Sequence, residues 1–209
     1  DLTYNDPLTE LINIIYFKDK LDLTLEEANN IANLAVFDIG IDGFKTINDS
    51  YGHETGNQIL KMLSKRLKRL LANDVVISRI GDEFFLYFKV REDKEEIISI
   101  ANNILDEVSK HYMIEGEAIY LTCSLGVAIY PQAGISSETL VKNAALAMHL
   151  VKTRQGNDIQ FYSADMEDKL SERMSLEAKL RVALEKEQFL LHYQPLIDND
   201  TEKIIGLES

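Results

Sequence analysis

The side chains that could do chemistry are gathered in two short segments, FDIGIDGFKTINDSYGHETGNQIL from Phe37 to Leu60 and RIGDEFF from Arg79 to Phe85. In the second, two strand-like runs, Val75 to Ile80 and Phe84 to Val90, are separated only by Gly81-Asp82-Glu83, which leaves room for a hairpin turn and nothing longer. An acidic pair is thus expected at a hairpin tip, as a solvated turn or as part of a site. The first segment sets Asp38, Asp42, Lys45 and Asn48 around glycines at 40 and 43. With a formal net charge of -13, any polyphosphate held here would depend on local cations and backbone amides. The same charge argues against non-specific binding to nucleic acid or an anionic membrane, which needs clustered Lys and Arg.

The elements that must position these residues can be read from periodicity. Asp6-Pro7-Leu8-Thr9 is a helix-entry signal, so a first helix is expected from about Pro7. The run Ile31 to Gly40 is short, apolar and ends at glycine, as a buried strand would, with Gly40 and Gly43 forming a loop after it. From Glu54 to Leu71, Ile59, Leu60, Leu63, Leu67, Leu70 and Leu71 recur at helical spacing. A helix from Glu95 to Tyr112, a long strand from Ala118 to Tyr130, a helix near Ser137 to Lys152 and a strand around Ile159 to Tyr162 follow. The core order, strand-helix-strand-strand-helix-strand, is the ferredoxin-like pattern: an α/β sandwich on a mainly antiparallel sheet.

Beyond Tyr162 the chain turns into a charged helical stretch with leucines at 170, 176, 180 and 184, and then into two strand-like runs joined by Asp198-Asn199-Asp200. The lone Cys123 lies in an apolar run and reads as a buried structural thiol, in keeping with a reducing cytoplasm. No apolar run reaches the ~18 to 20 residues that a membrane-spanning helix needs. The chain begins at Asp1 without signal-peptide character, as a piece of a longer protein would.

The block Gly43-Phe44-Lys45-Thr46-Ile47-Asn48-Asp49, with Tyr51-Gly52-His53 and Gly56, resembles the nucleotide segment of GGDEF domains, which condense two GTP into cyclic di-GMP. Asp6-Pro7-Leu8-Thr9, the Gly81-Asp82-Glu83-Phe84 hairpin, Ser124-Leu125-Gly126-Val127-Ala128 and Gln160-Phe161-Tyr162 extend the resemblance over roughly Asp6 to Tyr162. The resemblance implies a nucleotide-cyclase-like fold and a Mg2+-dependent GTP site. Its metal ligands would be Asp82 in the hairpin and the residue at position 40, its acidic catalytic partner Glu83, and its nucleotide contacts Phe44, Lys45, Asn48, Asn57, Gly81 and Lys152.

Against that pattern several positions depart. Gly40 stands where a metal-binding aspartate belongs, and Asp38, on the same strand face but about 7 Å away, is a doubtful substitute. Asn57 stands for a guanine-binding aspartate, and Gly156 for a phosphate-binding arginine. In the hairpin, either Ile80 replaces a glycine, which would narrow the cleft or change the turn, or one residue is deleted. Leu71-Ala72-Asn73-Asp74 lacks the arginine of an inhibitory R-x-x-D, so no cyclic di-GMP inhibitory site is expected. The tail, with Tyr193-Gln194-Pro195 and Glu208-Ser209, resembles the opening hairpin of an EAL phosphodiesterase domain. The expected organisation is a degenerate GGDEF domain at 1–163, a linker helix at 164–187 and the truncated start of an EAL domain at 188–209. The expected function is regulatory or dimerising, with GTP as a ligand, a homodimer and the EAL domain of the same polypeptide as partners, and little or no cyclase activity. The enzymatic alternative is an active diguanylate cyclase.

Overall fold

A computed structural model describes residues 4–27, 33–71, 74–90 and 94–208. Ile31 and Ala32 of the expected first strand, Ala72 and Asn73 of the inhibitory stretch, and Ser209 lie outside the described residues. The chain divides into a compact unit up to Met166 and a second from Glu167 onward.

In the first unit, strand β1 (Leu34–Ile41) is buried along its whole length. Its apolar run without alternation follows from being covered on both faces. The even residues Leu34 and Val36 pack with Phe17, Leu21, Leu140 and Ala144. The odd residues Ala35, Phe37, Ile39 and Ile41 pack with Leu63, Leu67 and Ile104. Helices α1 (Ile14–Glu27) and α5 (Ser137–Lys152) thus supply one layer, and α3 (His53–Leu70) and α4 (Lys94–Ser109) the other. The five-stranded sheet runs β2 (Val76–Ile80), β3 (Glu83–Lys89), β1, β6 (Cys123–Tyr130), β7 (Ile159–Phe161), antiparallel except for the β6–β7 pair. This is the expected mainly antiparallel α/β sandwich, with the first strand central between the third and fourth of the βαββαβ core.

Several elements differ from the sequence expectation, each for a tertiary reason. The first helix begins at Ile14, not Pro7. The Asp6 carboxylate accepts the Thr9 N–H (2.8 Å) and hydroxyl (2.6 Å), closing a turn, Glu10 takes a left-handed φ of 58°, and Asn13 caps the helix by accepting the Tyr16 N–H. Gly40 lies inside β1 rather than in a loop, and the segment after Gly43 is itself a short helix, α2 (Phe44–Tyr51). Helix α4 stops at Ser109, because the Arg66 guanidinium takes the carbonyls of Glu107, Lys110 and His111 and stacks 4.0 Å over the Tyr112 ring. Tyr112–Ile114 (β4) then pairs with Glu117–Ile119 (β5), so the expected long strand is divided.

The second unit holds most of α6 (Met166–Glu185) and a hairpin of β8 (Gln194–Ile197) and β9 (Ile204–Glu208). The Asp198 carboxylate closes its turn by accepting from Asp200 and Thr201. Among the described residues, no helix is long and apolar enough to cross a membrane.

Arg79 ties β2 to the amino-terminal turn through both oxygens of Asp6, at 2.8 and 3.0 Å, with the two side chains only 11% and 13% exposed. Burial pushes the Asp6 carboxyl up, but the bonds from Thr9 and the Arg79 guanidinium outweigh it and hold it below the ordinary value of 3.8. Its stabilising contribution is therefore fully present above about pH 4 and lost as pH falls through the depressed folded value. Arg79→Met leaves this carboxylate buried without its cation and is expected to cost about 3 kcal/mol in urea unfolding at pH 7. A loss under about 0.5 kcal/mol would contradict this role.

Candidate functional site

The hairpin sets its own geometry. Ile80 pairs with Glu83, so the turn consists of Gly81 and Asp82 alone. Gly81 has a φ of 63°, the positive value that the first turn position of a tight hairpin demands and glycine supplies without strain. Ile80 is therefore the last residue of β2, 47% exposed, and is not part of the described lining of the adjoining cleft.

β1 lies beside this hairpin, and Gly40 sits directly across from Glu83 on β3 and Ser124 on β6. A side chain at position 40 would point at the end of α5: a Cβ there would fall 2.6 Å from Lys152 Cε and 2.7 Å from its Nζ, and 2.6 Å from Met148 Sδ. The ammonium arm of Lys152 thus fills the space above Gly40. Asp38, two residues back on the same face, is fully buried, and neither of its carboxylate oxygens has a hydrogen-bond partner. Burial above all, then the Glu83 charge, pushes its carboxyl well above the ordinary range against the pull of Lys152, with Asp82 adding to the rise. Glu83 is raised too, by burial first and Asp82, while Lys152 and His149 draw it down.

Asp42 has a different fate. Its carboxylate accepts the Thr122 and Ser124 hydroxyls, both at 2.7 Å, and the Asn157 N–H at 3.0 Å. A Cβ at Gly156 would lie 2.6 Å from Asp42 Oδ2, so Asp42 occupies the ground that a larger residue at 156 would need. The sequence reading missed Thr122 and Ser124. The register of β6 against β1 is what would have pointed to them.

A cleft of about 440 Å³ joins these parts, lined among others by Gly43, Phe44, Lys45, Asp82, Lys152 and Gly156. Of the expected site residues it brings together Phe44, Lys45, Asp82 and Lys152, with Gly81 and Glu83 next to Asp82 in the hairpin. Asn48 and Asn57 stand apart from its described lining. Asn48 lies on α2 and its side-chain oxygen rests over Gly56, where a Cβ would come within 2.0 Å. Cys123, at the start of β6, is buried, and burial first, then Asp42, pushes its thiol up, as a structural cysteine requires.

In the arrangement that the resemblance implies, two divalent ions take a carboxylate from β1 and one from the hairpin. Gly40 offers none, Asp42 is committed to three hydrogen bonds, and the place above Gly40 holds an ammonium. Among the described residues, no group of three or more His, Cys, Asp or Glu side chains is arranged to hold a metal ion. The residues present do not fit the metal pair.

Residues 3–158 match the profile of the diguanylate cyclase, GGDEF domain. The chain is 35% identical over 194 residues to the cyclic di-GMP phosphodiesterase NbdA of Pseudomonas aeruginosa, covering 92% of this chain and 25% of that protein. It is 32% identical to the bifunctional diguanylate cyclase/cyclic di-GMP phosphodiesterase MucR of the same organism, over 100% of this chain and 30% of that one. The chain therefore spans about a quarter to a third of the length of these relatives. The fold is similar to the GGDEF domain of TpbB (YfiN) from P. aeruginosa, with a TM-score of 0.77 and 27% identity over 80% of this chain and 99% of that one. It is also similar to an EAL/GGDEF domain protein from M. capsulatus, with a TM-score of 0.62 and 30% identity over 72% and 99%.

Asp38 makes a test of the site's electrostatics. Its raised carboxyl keeps a proton in the folded state that the unfolded chain releases above about 3.8, so its effect on stability turns unfavourable as pH rises through that window. Asp38→Asn removes the ionisation, and urea unfolding is expected to find it more stable than the wild type at pH 8 but not at pH 4. Parallel pH profiles for the two proteins would overturn this.

Proposed function

The chain belongs to the GGDEF family, and we propose that within it residues 1–163 form a degenerate domain of a GGDEF-EAL signalling protein, with weak or no diguanylate cyclase activity. GGDEF domains generally use Mg2+ with GTP in cyclic di-GMP signalling, and the observation that carries the proposal is Gly40. Where β1 should present a metal-binding carboxylate there is no side chain, and Lys152 fills the space. Without that carboxylate the attack of a 3'-hydroxyl on an α-phosphate loses both charge neutralisation and alignment. What remains suits binding: Phe44, Lys45 and the Lys152 cation line a cleft open to a triphosphate, and Asn48, over Gly56 and apart from that lining, is the candidate guanine contact. Asn57 in place of a charged acceptor is expected to weaken guanine binding by about 1.5 to 3 kcal/mol, roughly ten- to a hundredfold.

In this reading residues 164–187 are the linker helix and 188–209 open an EAL domain of the same polypeptide, in the cytoplasm where GTP is present. GTP in the cleft, or pairing with a second copy of the domain, would bias the linker and so the phosphodiesterase that follows. The hairpin of β8 and β9, with Leu196, Ile197, Ile204, Ile205 and Leu207 exposed, is consistent with strands that belong to a larger domain. No inhibitory cyclic di-GMP site is proposed, since Leu71 to Asp74 contains no arginine.

The second reading, an active cyclase working as a dimer, draws on the retained Asp82, Glu83 and Lys152 at the cleft and on the bifunctional relative. It requires cyclic di-GMP synthesis from GTP that vanishes in Asp82→Ala.

Calorimetric titration with GTP in magnesium, with ATP as the control, tests the leading reading. Guanine-selective binding without measurable cyclic di-GMP synthesis is expected, together with a GTP-dependent change in phosphodiesterase activity of the longer protein. Phosphodiesterase activity that is identical with and without GTP would sink the ligand-gated form.

A further inference from the structure

We propose that the Lys152 ammonium is the resident cation of this cleft, taking the place of a divalent ion between the end of β1 and the carboxylates of the β2–β3 hairpin. Lys152 is the last residue of α5, and its arm runs over Gly40, with Met148 one turn earlier packed against the same spot. Its Nζ would be 2.7 Å from a Cβ at position 40, so it stands in the volume that a metal-binding carboxylate and its ion would otherwise share. On the same face stand Glu83, directly across the strand pair, and Asp38, buried with both oxygens unpartnered. Lys152 acts on Asp38, Glu83 and Cys123 alike, favouring charge on all three, and His149 from the same helix adds to its action on Glu83.

The argument is one of charge and volume. Glu83 and the adjacent Asp82 crowd one strand end of an acidic protein, and a nearby cation eases that crowding. A tethered ammonium does this without being drawn from solution, and its presence disfavours any second cation within a few ångströms. In the pose it takes over Gly40, the lysine therefore opposes a metal ion at this point. The consequence for ligands is specific: the protein itself binds no divalent ion here, so a nucleotide must bring its own.

The inference rests on the reading of this cleft as non-catalytic, and its test uses neither nucleotide nor turnover, so either can fail alone. Mn2+ is titrated into the full chain and followed by the loss of the free-ion paramagnetic signal, for the wild type, Gly40→Asp, and Gly40→Asp combined with Lys152→Met. The wild type is expected to leave the signal unchanged at equimolar, hundred-micromolar concentrations. The double variant is expected to bind one Mn2+ at least about tenfold more tightly than Gly40→Asp alone, because only there is the ammonium gone. Lys152→Met by itself is expected to lower Tm at pH 7.5 by about 2 to 4 °C. Stoichiometric Mn2+ uptake by the wild type, or equal affinity in the single and double variants, overturns the proposal, as does an unchanged Tm in Lys152→Met.

Discussion

The close approach of α5 to the central strands is the constraint from which the rest of the site follows. Gly126 on β6 has no Cβ, and one placed there would lie 1.9 Å from the Ala144 carbonyl oxygen and 2.3 Å from the Met148 nitrogen. The helix backbone rests on the sheet at that point, held from its other end by Asp22 of α1, which accepts both the N–H and the hydroxyl of Ser137. With the helix fixed at both places, Met148 and then Lys152 come over the end of β1. Any side chain larger than hydrogen at position 40 would meet them. The occupancy of the cleft by a lysine is thus a result of how one helix packs on one glycine.

Much of this was legible in the sequence where the signal is local. The apolar run of β1, the amphipathic spacing of α3, a tight turn between β2 and β3 and the limits of α5 all follow from periodicity and turn chemistry, though the turn is one residue shorter than its spacing suggests, because Glu83 pairs with Ile80. What was not legible depended on partners far along the chain. The start of α1 is set by Asp6, whose carboxylate is shared with Arg79, and the end of α4 by Arg66, some 40 residues earlier in sequence. Neither guanidinium announces its target, so periodicity alone extends the first helix back into the amino-terminal turn, ends the fourth at Tyr112 of β4 and joins β5 to the following strand. In the site, the missing carboxylate at Gly40 could be seen by alignment on Phe44-Lys45, but the arrival of Lys152 there could not, since it requires the packing of α5.

Gly40 and Gly156 are better understood together. Each leaves a space, and in each case a charged neighbour has moved into it: Lys152 over Gly40, Asp42 against Gly156. Asp42 gains two hydroxyls and a backbone N–H in that position, which satisfies a carboxylate well. Set against the pattern that the resemblance implies, position 40 lacks an expected anion and position 156 an expected cation, so what lines this end of the cleft is the pair Asp42 and Lys152.

Asp38 shows what this arrangement leaves behind. A buried carboxyl with no hydrogen-bond partner costs stability, and such a group survives in a fold when something nearby gains from it or when it is held neutral. Here both conditions hold in part: burial and the Glu83 charge drive it toward the protonated form, while Lys152 pulls the other way. Were the ammonium withdrawn toward a bound phosphate, Asp38 and Glu83 would lose their only shared cation among the described causes of their shifts, and the strand end would favour taking up a proton. Phosphate binding by Lys152 and protonation beneath it are therefore linked, so the affinity of this cleft for an anion should fall as pH rises.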